Sequence, residues 1–134
     1  MTEKILIDAS GGTLGRIASF AAKQSLLGKE VIIINCNNAL ITGDPRRTIE
    51  EYQQKRARGG TAQKGPNFPK SPERLMKRTI RGMLSYKQLR GLTAYKRIIC
   101  YNSIPEEFKN MKSISLKKNI KTKSIALSRL GREM

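Results

Sequence analysis

The sequence predicts a single α/β domain, and three observations carry that prediction. An apolar run, Ile5-Leu6-Ile7, is followed by a glycine turn, a stretch of helical periodicity and a second apolar run, Val31-Ile32-Ile33-Ile34. Strand, helix and strand within about thirty residues make a right-handed βαβ unit. The second run is continuously β-branched or apolar, the pattern of a strand buried on both faces of a parallel sheet. A third run, Ile98-Ile99-Cys100-Tyr101, reads as the last strand of that sheet. A length of 134 residues suits one domain built on one core.

The elements follow in order. Gly11-Gly12 form the first turn, and Thr13 caps a helix whose Leu14, Ile17, Ala18, Ala21, Ala22 and Leu26 recur at threes and fours. Gly28 stands where a C-terminal glycine belongs. A short strand is expected from Ala39 to Thr42, ended by Gly43. Asp44-Pro45 then supply an N-cap and a proline at the first helical position. That helix turns Ile49 and Tyr52 inward and runs out near Lys55. From Arg56 to Lys70 the chain has glycines, prolines and no periodicity, which predicts a long basic loop.

Ser71-Pro72-Glu73 open the next helix, with Leu75, Met76, Ile80 and Met83 directed inward and Leu84 completing the stripe. Gly82 is expected to interrupt it, and Gly91 to stop its successor. Pro105 closes off the last strand. Beyond Lys109 the chain is Lys-rich and weakly patterned, with Ser124 to Leu130 expected as a short strand or helix against the body.

Charge gives the first indication of function. Lys plus Arg number 27 against 10 Asp plus Glu, a net charge of +17. The excess is segregated. Residues 1–54 are neutral, residues 55–97 hold thirteen cations and the single acid Glu73, and residues 98–134 are moderately basic. The domain thus divides into a neutral βαβ core (1–54), a basic loop and helices (55–97), and a last strand with a basic tail (98–134). Like charges at that density repel one another unless a polyanion lies against them. Arginine is favoured where planar, bidentate contact with phosphate is wanted, and Arg56, Arg58, Arg74, Arg78, Arg81, Arg90 and Arg97 are seven of the thirteen.

Other classes find little support. No run of about 18 apolar residues suggests a membrane span, and the N-terminus does not read as a signal peptide. There is no histidine, and the acids Asp8 and Asp44 are isolated, so no triad, carboxylate pair or metal-bound water is predicted. Cys36 and Cys100 end two apolar runs and read as reduced, buried thiols of a cytosolic protein; a disulfide would require their strands to be neighbours. Two distant cysteines do not make a zinc site. The turn from Gly11 to Gly15 occupies the place of a dinucleotide fingerprint, but its spacing is wrong. Asn35 and Asn37 stand where a ribose-binding acid belongs. The plain role for Gly15 is close helix–sheet packing. A nucleotide-binding α/β enzyme using this turn is the alternative reading. Aromatic residues make up 5% with no tryptophan, too few for a base-stacking platform. No helix-turn-helix or zinc finger is present, which leaves shape and backbone recognition of folded RNA.

The segment Lys77-Arg78-Thr79-Ile80-Arg81-Gly82-Met83-Leu84, with Lys87 and Arg90-Gly91 after it, resembles the signature of the large-ribosomal-subunit protein family L thirteen. The resemblance is greatest to its archaeal and eukaryotic branch. Leu14-Gly15-Arg16, the apolar strand ending at Asn35, and Ile41-Thr42-Gly43 also match in type and order, so the similarity spans essentially the whole chain. One departure stands out: Ser85-Tyr86 replace a proline and, often, a histidine, which leaves that bend less rigid. The resemblance implies a three-layer α/β/α domain on a small, mainly parallel four-stranded sheet. It also implies no enzymatic activity and no cofactor. The expected role is binding of 23S-type rRNA early in large-subunit assembly, beside other ribosomal proteins in the cytoplasm. The expected RNA contacts are Arg16 at the first helix start, Arg56, Arg58 and Lys64 from the loop, and Lys77, Arg78, Arg81, Lys87 and Arg90 from the signature.

Overall fold

A computed structural model describes residues 3–57, 69–117 and 122–133. The chain opens with the predicted unit: β1 (Lys4–Asp8), α1 (Leu14–Leu26) and β2 (Glu30–Ile34). The two strands pair in parallel, with Ile5 opposite Val31 and Ile7 opposite Ile33. Thr13 precedes α1 in extended conformation, but its side chain makes no capping hydrogen bond. Its backbone bridges to Leu40 instead, beside a bond from the Leu40 amide to the Gly12 carbonyl. Gly28 ends α1 as expected. Its φ is +95°, its amide bonds the Ser25 carbonyl, and the Lys29 amide bonds Gln24, which together form a Schellman motif.

After a 3-10 turn at Cys36–Asn38 come β3 (Leu40–Thr42), α2 (Pro45–Ala57), α3 (Pro72–Met83), α4 (Leu89–Lys96) and β4 (Ile98–Cys100). A further 3-10 turn at Glu106–Phe108 leads to β5 (Ile114–Ser115), β6 (Ser124–Ala126) and α5 (Leu127–Glu133). The main sheet has the order β4-β2-β1-β5 and every pairing in it is parallel. β3 and β6 form a separate antiparallel pair. The α/β class and the four-stranded parallel sheet are therefore as predicted. β4 is not the last strand, however: β5 and β6 follow, at two and three residues too short to show any period.

The layers are unequal. Ile5, Ile7, Val31 and Ile33 point to one face, where they meet Ile17, Ala18 and Ala21 of α1, Leu75, Met76 and Ile80 of α3, and Leu127 and Leu130 of α5. Leu6, Ile32 and Ile34 point to the other face, roofed by Tyr101 and Phe108 around the second 3-10 turn. Burying each large aliphatic side chain contributes about 1.5–3 kcal/mol, so the thick face dominates stability.

Several glycines behave differently from expectation. α3 runs on through Gly82 to Met83, because the burial of Leu75, Met76 and Ile80 outweighs the roughly 1 kcal/mol that one glycine costs a helix. Met83 is then 45% exposed, and Leu84, where the backbone becomes extended, enters the core in its place. Leu26 is likewise exposed, with Ser25 buried and bonded to the Ala22 carbonyl. Gly91 does not stop a helix; it lies inside α4, where a Cβ would run into the Ser85 carbonyl. That close approach holds the bend where the signature's proline is missing. Gly15 is exposed with open space around it, so it does not serve helix–sheet packing. Gly12 is the tight position, its missing Cβ 2.8 Å from Ile17 Cδ1.

α5 fastens the chain on either side of residues 58–68. Gln53 Nε2 of α2 donates to the Glu133 carbonyl at 2.8 Å, and Gly131 lies against the Lys70 carbonyl with no room for a Cβ.

Gly91→Ala should cost about 3 kcal/mol of folding free energy, because rigid backbone must move. Gly15→Ala should instead gain about 0.5–1 kcal/mol from helix propensity. Urea denaturation of the two variants checks both signs.

Candidate nucleic-acid interface

The basic surface is built on α3. Pro72 and Glu73 suit its first turn. The Ser71 hydroxyl donates to Glu73 Oε2 at 2.7 Å, and the Glu73 amide donates to Asn102 Oδ1 at 3.0 Å. Partial burial would raise the Glu73 pKa, but the hydrogen bonds from Ser71, its own amide and Asn102, with the charge of Arg74, hold it below its ordinary value. Leu75, Met76 and Ile80 fix the rotation of the helix against the core. Arg74, Arg78 and Arg81, spaced i, i+4 and i+7, therefore share the opposite face.

Arg78 and Arg81 join Lys55, Tyr52, Thr79 and Tyr86 around a hollow of about 390 Å³ between α2 and α3. A second hollow of about 370 Å³ shares Tyr52 and Thr79 as a common wall and is bordered by Gly15 and Arg16 of α1. The furrow thus brings together Arg16, Arg78 and Arg81, which are far apart in sequence. Burial and the charge of Glu51 push the Tyr52 phenol up, and nearby Arg78 pulls it back. Arg16 also stands at the rim of a hollow of about 590 Å³ between α1 and β5, with Phe20, Lys23, Leu116 and Lys117. Arg56 is exposed in the last turn of α2. Lys87 and Arg90 are exposed on the bend after α3 and the first turn of α4. Arg58 and Lys64 lie outside the described residues.

Lys77 is turned inward. Its ammonium donates to the carbonyls of Tyr95, at 3.1 Å, and of Ile98, and sits 4.4 Å from the Tyr95 ring centroid. Burial pushes its pKa down, opposed by charge on the neighbouring Cys100. The residue ties α3 to α4 and β4. Arg97 acts similarly, Nη1 donating to the Ser25 carbonyl at 2.9 Å.

Sequence reasoning missed Lys55, Tyr52 and Tyr86 as members of this surface. Lys55 lies 4.9 Å over the Tyr52 ring and Arg81 lies 4.6 Å over Tyr86. The only signal was adjacency: Lys55 precedes Arg56, and Tyr86 sits within the signature. The glycine turn offers no cradle for a diphosphate. A Cβ on Gly11 would be 2.8 Å from Lys117 Cγ, so that lysine's own aliphatic chain covers the turn.

A family model described as Ribosomal protein L13 matches residues 2–107, most of the chain. The chain belongs to the ribosomal protein L13 family. Family members are ribosomal proteins, not enzymes. Among relatives, the large ribosomal subunit protein uL13 of Archaeoglobus fulgidus is 42% identical over 95% of this chain and 85% of its own length. The uL13 of Methanosarcina barkeri is 47% identical over 83% and 79%, and that of Methanocaldococcus jannaschii 39% identical over 96% of both chains. The similarity to the Archaeoglobus and Methanocaldococcus proteins thus takes in the basic tail as well.

Lys77→Met keeps the aliphatic stem but leaves two carbonyls without their donor, and should cost about 1–3 kcal/mol in urea unfolding. Arg90→Ala on the exposed surface should stay within about 0.5 kcal/mol. Glu73 contributes stability that is present above its unfolded value, 4.5, and is lost as pH falls through its lower folded value. Glu73→Gln should therefore flatten the loss of stability below that pH, measured by acid titration of the unfolding midpoint.

Proposed function

We propose that the protein is a structural constituent of the large ribosomal subunit that binds and stabilises folded 23S-type rRNA from an early stage of assembly. The observation that carries this reading is the furrow in which Arg16, Lys55, Arg78 and Arg81 converge from three helices. Membership of a ribosomal protein family supports a polyanion as the partner of that furrow. Arginines on α3 present planar donors to phosphate oxygens, and neutralisation lets RNA segments approach one another. Arg56, Lys87 and Arg90 extend the charged surface around the furrow. Arg58 and Lys64 belong to the same basic stretch and are proposed as further phosphate contacts. Lys77 supports this surface from within, holding α3 in place rather than reaching for RNA. The protein works as part of the cytoplasmic ribosome, with rRNA and adjacent ribosomal proteins as partners.

Sedimentation of the tagged protein through a sucrose gradient in high salt is the direct test. Recovery at one copy per large subunit after the wash is expected; a protein found free, or stripped like a loosely bound polycation, overturns the reading. With purified rRNA fragments, six to eight phosphate contacts predict a slope of about −4 to −7 for log affinity against log salt. Arg78→Ala or Arg81→Ala should each reduce the magnitude of that slope by about 1. A slope near −1 in the unsubstituted protein would remove the mechanism.

A further inference from the structure

We propose that Cys36 and Cys100 are a dithiol that oxidises reversibly to an intramolecular disulfide, a modification site that closes the chain around its basic half. The sheet topology brings them together. β2 and β4 are direct neighbours, with Ile33 opposite Cys100. The two chains stay side by side beyond the strands: the Tyr101 amide bonds the Ile33 carbonyl at 2.8 Å, and the Cys36 amide bonds the Tyr101 carbonyl at 3.1 Å. Both cysteines carry free thiols, and both side chains belong to the same hydrophobic cluster on the thick face of the sheet.

The two sulfurs differ in a way that orders the chemistry. Cys36 is fully buried, whereas Cys100 is partly exposed on the edge strand. The neighbouring Cys100 side chain, and then burial, push the Cys36 thiol up. Cys100 is thus the sulfur that an oxidant reaches first. With hydrogen peroxide as oxidant, the Cys100 thiolate attacks one peroxide oxygen. The O–O bond breaks, a sulfenic acid forms, and hydroxide leaves to be protonated to water. The Cys36 sulfur then attacks the Cys100 sulfur, losing its proton as the S–O bond breaks and a second water departs. Two thiols are oxidised, one peroxide is reduced, and thiol–disulfide exchange with a small reductant reverses the change. The ring so closed runs from residue 36 to residue 100 and contains α2, α3, α4 and every cation of the basic middle.

The test uses the reduced full chain treated with near-stoichiometric hydrogen peroxide, followed by intact mass, thiol titration and thermal unfolding. A monomer lighter by about 2 Da with both thiols lost is expected. Its melting temperature should be higher by about 10 °C, and both changes should reverse with reductant. In Cys36→Ala, a sulfenic-acid trap should label Cys100; in Cys100→Ala, Cys36 should label far more slowly. Mass gains of one or two oxygens without loss of both thiols, or disulfides formed only between two copies, overturn the pair. An unchanged or lowered melting temperature in the oxidised monomer overturns the staple. The unsubstituted protein decides these points even where a variant fails to fold.

Discussion

Burial of β2 on both faces is the constraint on which the other elements depend. Val31, Ile32, Ile33 and Ile34 are nearly or wholly shielded, and both hydrophobic clusters are built out from them. β1 and β4 hydrogen-bond to its two edges, so the strand is satisfied in every direction. Where it ends, Asn35 takes a left-handed conformation, φ 58°, that few non-glycine residues tolerate. Its side-chain amide reaches Asp8 Oδ1 at 3.1 Å, which clasps the ends of β1 and β2 together. Without this slab α3 would have no apolar surface against which to fix its rotation, and its arginines would have no common face.

The chain handles its charge by dividing it. The neutral first part pairs acids with its own bases, Lys4 with Glu30, Lys29 with Glu3 and Arg46 with Glu50. These exposed pairs are worth little individually, but they keep the scaffold from adding to the repulsion. In the basic middle, Lys77 and Arg97 are turned onto backbone carbonyls and bind helices to the sheet. The arginines of α3 remain on the surface. Two residues of the same charge class in one helix thus do opposite jobs, separated by one position of helical rotation.

Much of this was legible in the sequence. Periodicity in α1, the continuous run of β2 and the cap at Asp44 are local signals, and the structure follows them; the Arg46 amide, for instance, bonds Asp44 Oδ1. Ser71 precedes α3 as expected, but its hydroxyl turns to Glu73 rather than to a helix amide. The features that were not legible depend on distant partners. Gly91 reads as a helix terminator until Ser85 is folded against it. Gly15 reads as a packing glycine until its surroundings prove empty. Lys77 is indistinguishable in sequence from its neighbour Arg78, because only tertiary packing decides which cation meets the Tyr95 and Ile98 carbonyls. β5 is held by two residues, Ile114 and Ser115, which pair with Ile7 and Asp8 across the whole length of the chain.

The contacts of α5 bear on the order in which the protein acquires its working surface. Residues 131 and 133 secure Lys70 and Gln53, on either side of the basic stretch, yet they are synthesised long after it. During elongation, β1, α1 and β2 have their partners early. The two flanks of the basic stretch gain their fastening only after α5 has cleared the synthesising ribosome. The timing leaves Gln53 and Lys70 without these two contacts until α5 has been made.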